Sequence, residues 1–168
     1  SEMCIRDRYT IKFTDDGFWK VFDFTFLSGV PFTHADWESG IRQAVISDKL
    51  ARKLFGTVEA TGQTLRMNYA DYQICGVVKE VSQAAENAYG DVWVPYTVNS
   101  SLLKENVNSC EGTTGEFTSC ILARSSSDFE PIRKEMLKLQ AAFNASLTNT
   151  KLDYMYSPYT PVSYTHLT

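Results

Sequence analysis

The sequence predicts an α+β fold, with mixed sheets and short helices. Three observations point there. Strand-length apolar runs such as Gln43–Ile46, Tyr72–Val81 and Val92–Val94 are rich in Val and Ile, the last closed by Pro95. A short helix signal runs from Ser47 to Gly56. Later, Phe129, Ile132, Met136, Leu139 and Phe143 recur at spacings of 3, 4, 3 and 4, one apolar stripe on a helix. The 168 residues are 43% apolar and 21% charged, ordinary globular usage that excludes disorder for the bulk of the chain. With 10 Phe, 9 Tyr and 3 Trp there is material for a core.

In chain order, Tyr9–Phe13 alternates weakly as a strand, and Thr14–Gly17 is a turn whose Asp side chains can cap a helix start. Phe18, Val21 and Phe22 stand at helical spacing. Phe24–Leu27 reads as a strand ending at Ser28-Gly29, and Pro31–Gly40 as a polar loop with a helical turn over 35–38. After the buried strand Gln43–Ile46, Ser47 caps a helix over Asp48–Phe55. Its apolar face is Leu50, Ala51, Leu54 and Phe55, and Gly56 closes it in a left-handed conformation. Gly62 marks a turn. Gln63–Asn68 and Tyr72–Val81 form a hairpin around a turn at Tyr69-Ala70-Asp71. Residues 82–91 are loop, Val92–Val94 is a strand stopped by Pro95, a short helix is expected within Asn99–Asn106, and Asn108–Gly115 is loop. Phe117–Ala123 reads as a strand. Ser127 caps the striped helix, from about Asp128 to Asn144, and Lys151–Tyr156 returns as a strand, so the chain closes on a β-α-β unit. Residues 1–8 and 161–168 share no periodicity with their neighbours and look like non-native adapter scars, with about 9–160 natural and the gene continuing on both sides.

Little in the sequence carries chemistry. A net charge of −4 argues against a general nucleic-acid binder, and no apolar run is long enough to cross a membrane. Of the two histidines, His166 lies in the closing segment, leaving His34 beside Asp36 as a loop or helix-cap histidine. No Gly-x-Ser-x-Gly elbow exists. Asp15, Asp16 and Asp23 lack the alternation of a calcium loop and fit turn and capping roles. Gly56 to Gly62 is no phosphate loop, because Gln63 stands where a lysine is required. Lys49, Arg52 and Lys53 make a solvated basic helix face, and Cys75 in an apolar strand is a small buried hydrophobe. Cys110 and Cys120 flank a nine-residue spacer. That loop can close as a disulfide, contributing roughly 2–3 kcal/mol in an oxidising compartment. No catalytic residue, cofactor or metal site is expected.

Five ordered blocks support a resemblance. They are Phe18–Phe24, Phe26–Phe32, Ala44–Gly56, Thr61–Leu65 and Tyr72–Val81, with Leu54-Phe55-Gly56 followed six residues later by Gly62 as the most diagnostic part. Together they resemble the MacB-like periplasmic core domain of ABC transporter permeases, the group that carries FtsX-type membrane segments. The resemblance implies an inserted mixed lobe over 9–115 and a β-α-β unit of a porter-like lobe over 116–160, a first β-α-β lying upstream. It implies a non-enzymatic, force-transmitting domain on the periplasmic face of the bacterial inner membrane. The partners implied are transmembrane helices of the same permease, an ATP-binding subunit or domain, a second permease copy and a periplasmic adaptor. A reading of another class is a free-standing extracytoplasmic binding or adhesion module using Tyr154, Tyr156 and Tyr159.

Overall fold

The computed structural model describes residues 9–99 and 118–149, together with 151 and 153. The chain divides into two compact units, Ser1–Lys104 and Glu105–Thr168.

The first unit is a six-stranded mixed sheet with short helices. Its strands are β1 (Ile11–Thr14), β2 (Phe26–Gly29), β3 (Gln43–Ser47), β4 (Thr64–Met67), β5 (Ala70–Val78) and β6 (Val92–Pro95). Its helices are α1 (Phe18–Val21), α2 (His34–Ser39) and α3 (Asp48–Phe55). The strand order is β1-β6-β3-β5-β2, with β4 also paired to β5. β1 runs parallel to β6 and β3 parallel to β5, while β2–β5, β3–β6 and β4–β5 are antiparallel. The mixture follows from the connections. A tight turn joins β4 to β5, which forces an antiparallel pair, whereas α3 with β4 spans the longer crossover that a parallel pair requires.

Successive strand residues point to opposite faces, and both faces of the central strands are covered. On one side Ala44, Ile46, Ile74, Val77, Val92 and Val94 meet Leu50 and Ala51 of α3. On the other, Val45, Val78 and Trp93 meet Phe32, with Phe18, Trp19, Phe24 and Phe26 packed against them. Ile74 and Val77 share a face although three positions apart, because Ala44 pairs with Ile74 and Val45 with Gly76, leaving Cys75 as the extra residue of a bulge. Beside it, a Cβ on Gly29 (φ +68°) would stand 2.1 Å from the Cys75 carbonyl oxygen, and one on Gly76 would stand 2.7 Å from a Phe26 ring carbon. Both positions therefore need glycine for β2 to lie against the bulge.

The β3–α3 segment is built as the sequence dictates. Ser47 Oγ accepts from the Leu50 amide, and Gly56 takes φ 73° with its amide donating to Arg52 O. Leu50 and Ala51 are buried and Phe55 packs on the core, but Leu54 is 44% exposed and stands outside the expected apolar face. The β4–β5 turn falls at Asn68-Tyr69, both at positive φ, one residue before the expected Tyr69–Asp71.

In the second unit, a single 3-10 turn (Ser126–Asp128) leads into α4 (Phe129–Ser146). Its start differs from expectation. Ser125, not Ser127, forms a capping box with Asp128, whose carboxylate also accepts from the Arg124 amide. Residues 118–123, expected as a strand, have no regular secondary structure, so β-propensity there is not met by a ladder partner. The helix expected within 99–106, the loop 108–115 and most of the strand expected over 151–156 lie outside the described residues.

Candidate functional site

No group of three or more His, Cys, Asp or Glu converges among the described residues. Several of the singled-out side chains have a local structural role. Asp15 Oδ1 accepts from the Phe18 amide at 2.9 Å and starts α1. Asp16 faces His34 at 3.0 Å and Lys20 at 3.6 Å, and the His34 hydrogen bond holds its carboxyl below the usual carboxylate value. Asp23 is exposed. Asp36 accepts from the Thr33 amide and hydroxyl, which likewise keep its carboxyl low. His34 is therefore the first residue of α2, one position after the cap Thr33.

The basic face of α3 is exposed yet tied down. Lys49 reaches Glu80 at 3.4 Å, Arg52 reaches Asp48 at 3.8 Å, and the Lys53 ammonium lies 5.5 Å from the Tyr9 ring centroid. Asp48 also accepts from the Glu80 amide, joining α3 to the chain beyond β5. Gly62 donates to Ile74 O and carries the chain into β4.

The two described cysteines differ. Cys75 donates to Ala44 O at 3.4 Å, and burial pushes its thiol up from 9.0 to about 12. It is half-buried, consistent with its bulge position. Cys120 is an exposed free thiol, and Cys110, its expected partner, lies outside the described residues. Tyr154, Tyr156 and Tyr159 lie outside them too.

No residue of α4 is buried. Phe129, Leu139 and Phe143 of the predicted stripe are exposed, Leu139 at 67%, and Ile121 and Leu122 before the helix are exposed as well. Local chemistry supports the helix, through the capping box of the 3-10 turn before it and the ion pairs Arg133–Glu130 and Lys138–Glu135. No described helix is long and apolar enough to cross a membrane.

Sequence reasoning missed two arrangements. One is the aromatic layer centred on Trp19, whose ring lies 5.2–6.3 Å from Phe18, Phe24, Phe26, Phe32 and Trp93. The density of Phe and Trp over 18–32 was the available signal. The other is the Asp16–His34 pair, joined across 18 positions without any sequence signal.

A family model, MacB-like periplasmic core domain, matches residues 4–139. An uncharacterized ABC transporter permease YknZ of Bacillus subtilis (strain 168) is 26% identical over 130 residues, covering 77% of this chain and 31% of that protein. The crystal structure of the extracellular domain of the noncanonic ABC-type transporter YknZ from Gram-positive bacteria is similar in fold. Its TM-score is 0.58 at 21% identity, over 80% of this chain and 64% of that one. The periplasmic region of MacB from Actinobacillus actinomycetemcomitans gives a TM-score of 0.48 at 18% identity, over 74% of this chain and 53% of that one. The chain thus spans about a third of the permease and about two thirds of the extracellular domain that it matches.

Proposed function

Because the chain belongs to the family of MacB-like periplasmic core domains, we propose that it serves as the extracytoplasmic domain of a bacterial ABC transporter permease and does no catalysis of its own. The family match over residues 4–139 carries this reading. A mixed sheet with covered faces supports it, since such a body transmits force without deforming.

In this reading residues 9–115 form the inserted mixed lobe and 116–160 a β-α-β unit of the porter-like lobe. Transmembrane helices of the same permease hold the domain at the periplasmic face of the inner membrane. ATP is hydrolysed by a separate or fused ATP-binding domain, the permease pairs with a second copy, and the domain couples helix motion to substrate export or to periplasmic partners such as an adaptor. The α4 stripe, of which Phe129, Leu139 and Phe143 are exposed, becomes an internal packing surface of the complete lobe. Cys110 and Cys120 pair when both thiols are oxidised, closing the loop between them.

Sequencing the gene on both sides tests the reading first. It expects one transmembrane helix upstream and a set of three downstream, and their absence overturns it. A second test replaces residues 9–160 by a flexible linker in the intact permease, reconstituted with its ATP-binding partner. ATP hydrolysis is expected to persist while transport is lost. Undiminished transport would contradict the coupling role.

A further inference from the structure

We propose that α2 is a pH-sensitive strap, tied to the β1–α1 turn through His34 and Asp16 and loosened locally when His34 loses its proton. This does not rest on the transporter reading.

The strap is built from few attachments. No residue of α2 is fully buried; Trp37 is half-buried, and the core residue Phe32 anchors the chain just before the helix, so the exposed face around His34 is the part free to loosen. His34 Nδ1 stands 3.0 Å from Asp16 Oδ1 in the turn after β1. The imidazole is stacked on Trp37 at 5.2 Å and 27°. Trp37 in turn meets Tyr96 edge-on at 5.4 Å, and its carbonyl accepts from the Thr97 hydroxyl. Gln43 reaches Asp36 at 3.3 Å. The helix therefore bridges the β1–α1 turn and the 3-10 turn Tyr96–Val98 that leaves β6.

The ionic link is the one attachment here that titrates near neutrality. Asp16 raises the His34 pKa above its ordinary 6.5, chiefly by the hydrogen bond and then by its charge, and Glu38 on the same helix adds to this. Lys20 on α1 opposes it. A protonated imidazole stacked on an indole face is also favoured over the neutral ring. A raised folded-state value means that the link is complete below 6.5 and lost as pH rises through the higher value. At the acid end Asp16, lowered from 3.8, must lose its charge before the link fails. The strap is thus closed across the interval between the two, and it opens on the alkaline side.

The test uses the full chain and two readouts, the histidine ring titration by NMR and amide exchange over residues 33–40 corrected for intrinsic rates. His34→Gln assigns the signal and leaves His166 as an internal reference. We expect a His34 midpoint above 6.5 that falls when Asp16→Asn is introduced. Protection of α2 should drop roughly two- to fivefold between about pH 5.5 and 8.5. It should stay flat in both Asp16→Asn and His34→Gln. A midpoint at or below the ordinary value overturns the proposal, as does an equal drop in both variants. A raised midpoint with flat protection also overturns it, because the pair then exists without strapping anything.

Discussion

The sheet of the first unit and the helix of the second are written in the same sequence alphabet and end differently. Ile46 and Trp93 are 0% exposed, while Leu139, as apolar as either neighbour in pattern, is 67% exposed. In the sheet, each apolar face meets a second layer, α3 on one side and the Trp19-centred aromatics on the other. In α4 the stripe has correct periodicity, a capped 3-10 turn leading into it and flanking ion pairs, yet none of its residues is buried. Periodicity decides which residues would be buried together. It does not supply the layer that buries them.

Cysteine chemistry gives the largest expected contrast between the two regions. With Cys75 pushed up to about 12 from 9.0, its thiolate fraction at mildly alkaline pH is about a thousandfold below that of an ordinary thiol. In reduced protein, iodoacetamide followed by peptide mass mapping should label Cys120 promptly and Cys75 only on unfolding. Equal rates would mean that the bulge is open to solvent. Core truncation comes next. Trp93→Ala should remove about 3–5 kcal/mol and Ile46→Ala about 2–5 kcal/mol in urea unfolding. Leu139→Ala should change the same midpoint by under about 0.5 kcal/mol. If Leu139→Ala costs as much as Ile46→Ala, the stripe is covered and the contrast collapses.

A middle-sized effect tests the proposed reading, in which the α4 stripe packs inside a longer extracytoplasmic domain. A chain extended to the complete extracytoplasmic domain should melt at a higher temperature than residues 1–168, and in that longer chain Leu139→Ala should become a core substitution costing about 2–5 kcal/mol. Equal melting midpoints would count against the stripe being an internal surface. The smallest expected effect is local. Ser47→Ala removes the oxygen that accepts from the Leu50 amide and should cost about 1 kcal/mol, all of it within the sheet unit.

What was legible in the sequence was whatever is decided within a few residues. Ser47, Asp48 and Gly56 delimit α3 by capping chemistry, and Pro95 ends β6. Asp15 starts α1 for the same reason. The β5 bulge was not legible, because it depends on which residue of β3 lies opposite Cys75. Helical arithmetic puts Leu54 on the apolar face of α3, but it is 44% exposed, because spacing does not say how far around the helix the core reaches. Residues 118–123 show the reverse error, where apolar composition alone suggested a ladder. The Asp16–His34 pair required the fold to bring α2 back to the first turn, and no spacing announces that.

The parallel pairing of β1 with β6 bears on how the molecule assembles in time. Ile11 lies against Val92, and Thr10 donates to Asp91 from 81 positions away. The β4–β5 hairpin needs only its own turn and can form within microseconds. β1, by contrast, pairs only with β6 among the described strands, so an early strand of this sheet waits for a late one before it can be placed. Closing so long a loop is entropically costly, and contacts of this separation slow folding. A chain emerging residue by residue would therefore carry Ile11 without its core contacts until Val92–Pro95 arrived. Its refolding rate, more than its final stability, should respond to substitutions along that β1–β6 seam.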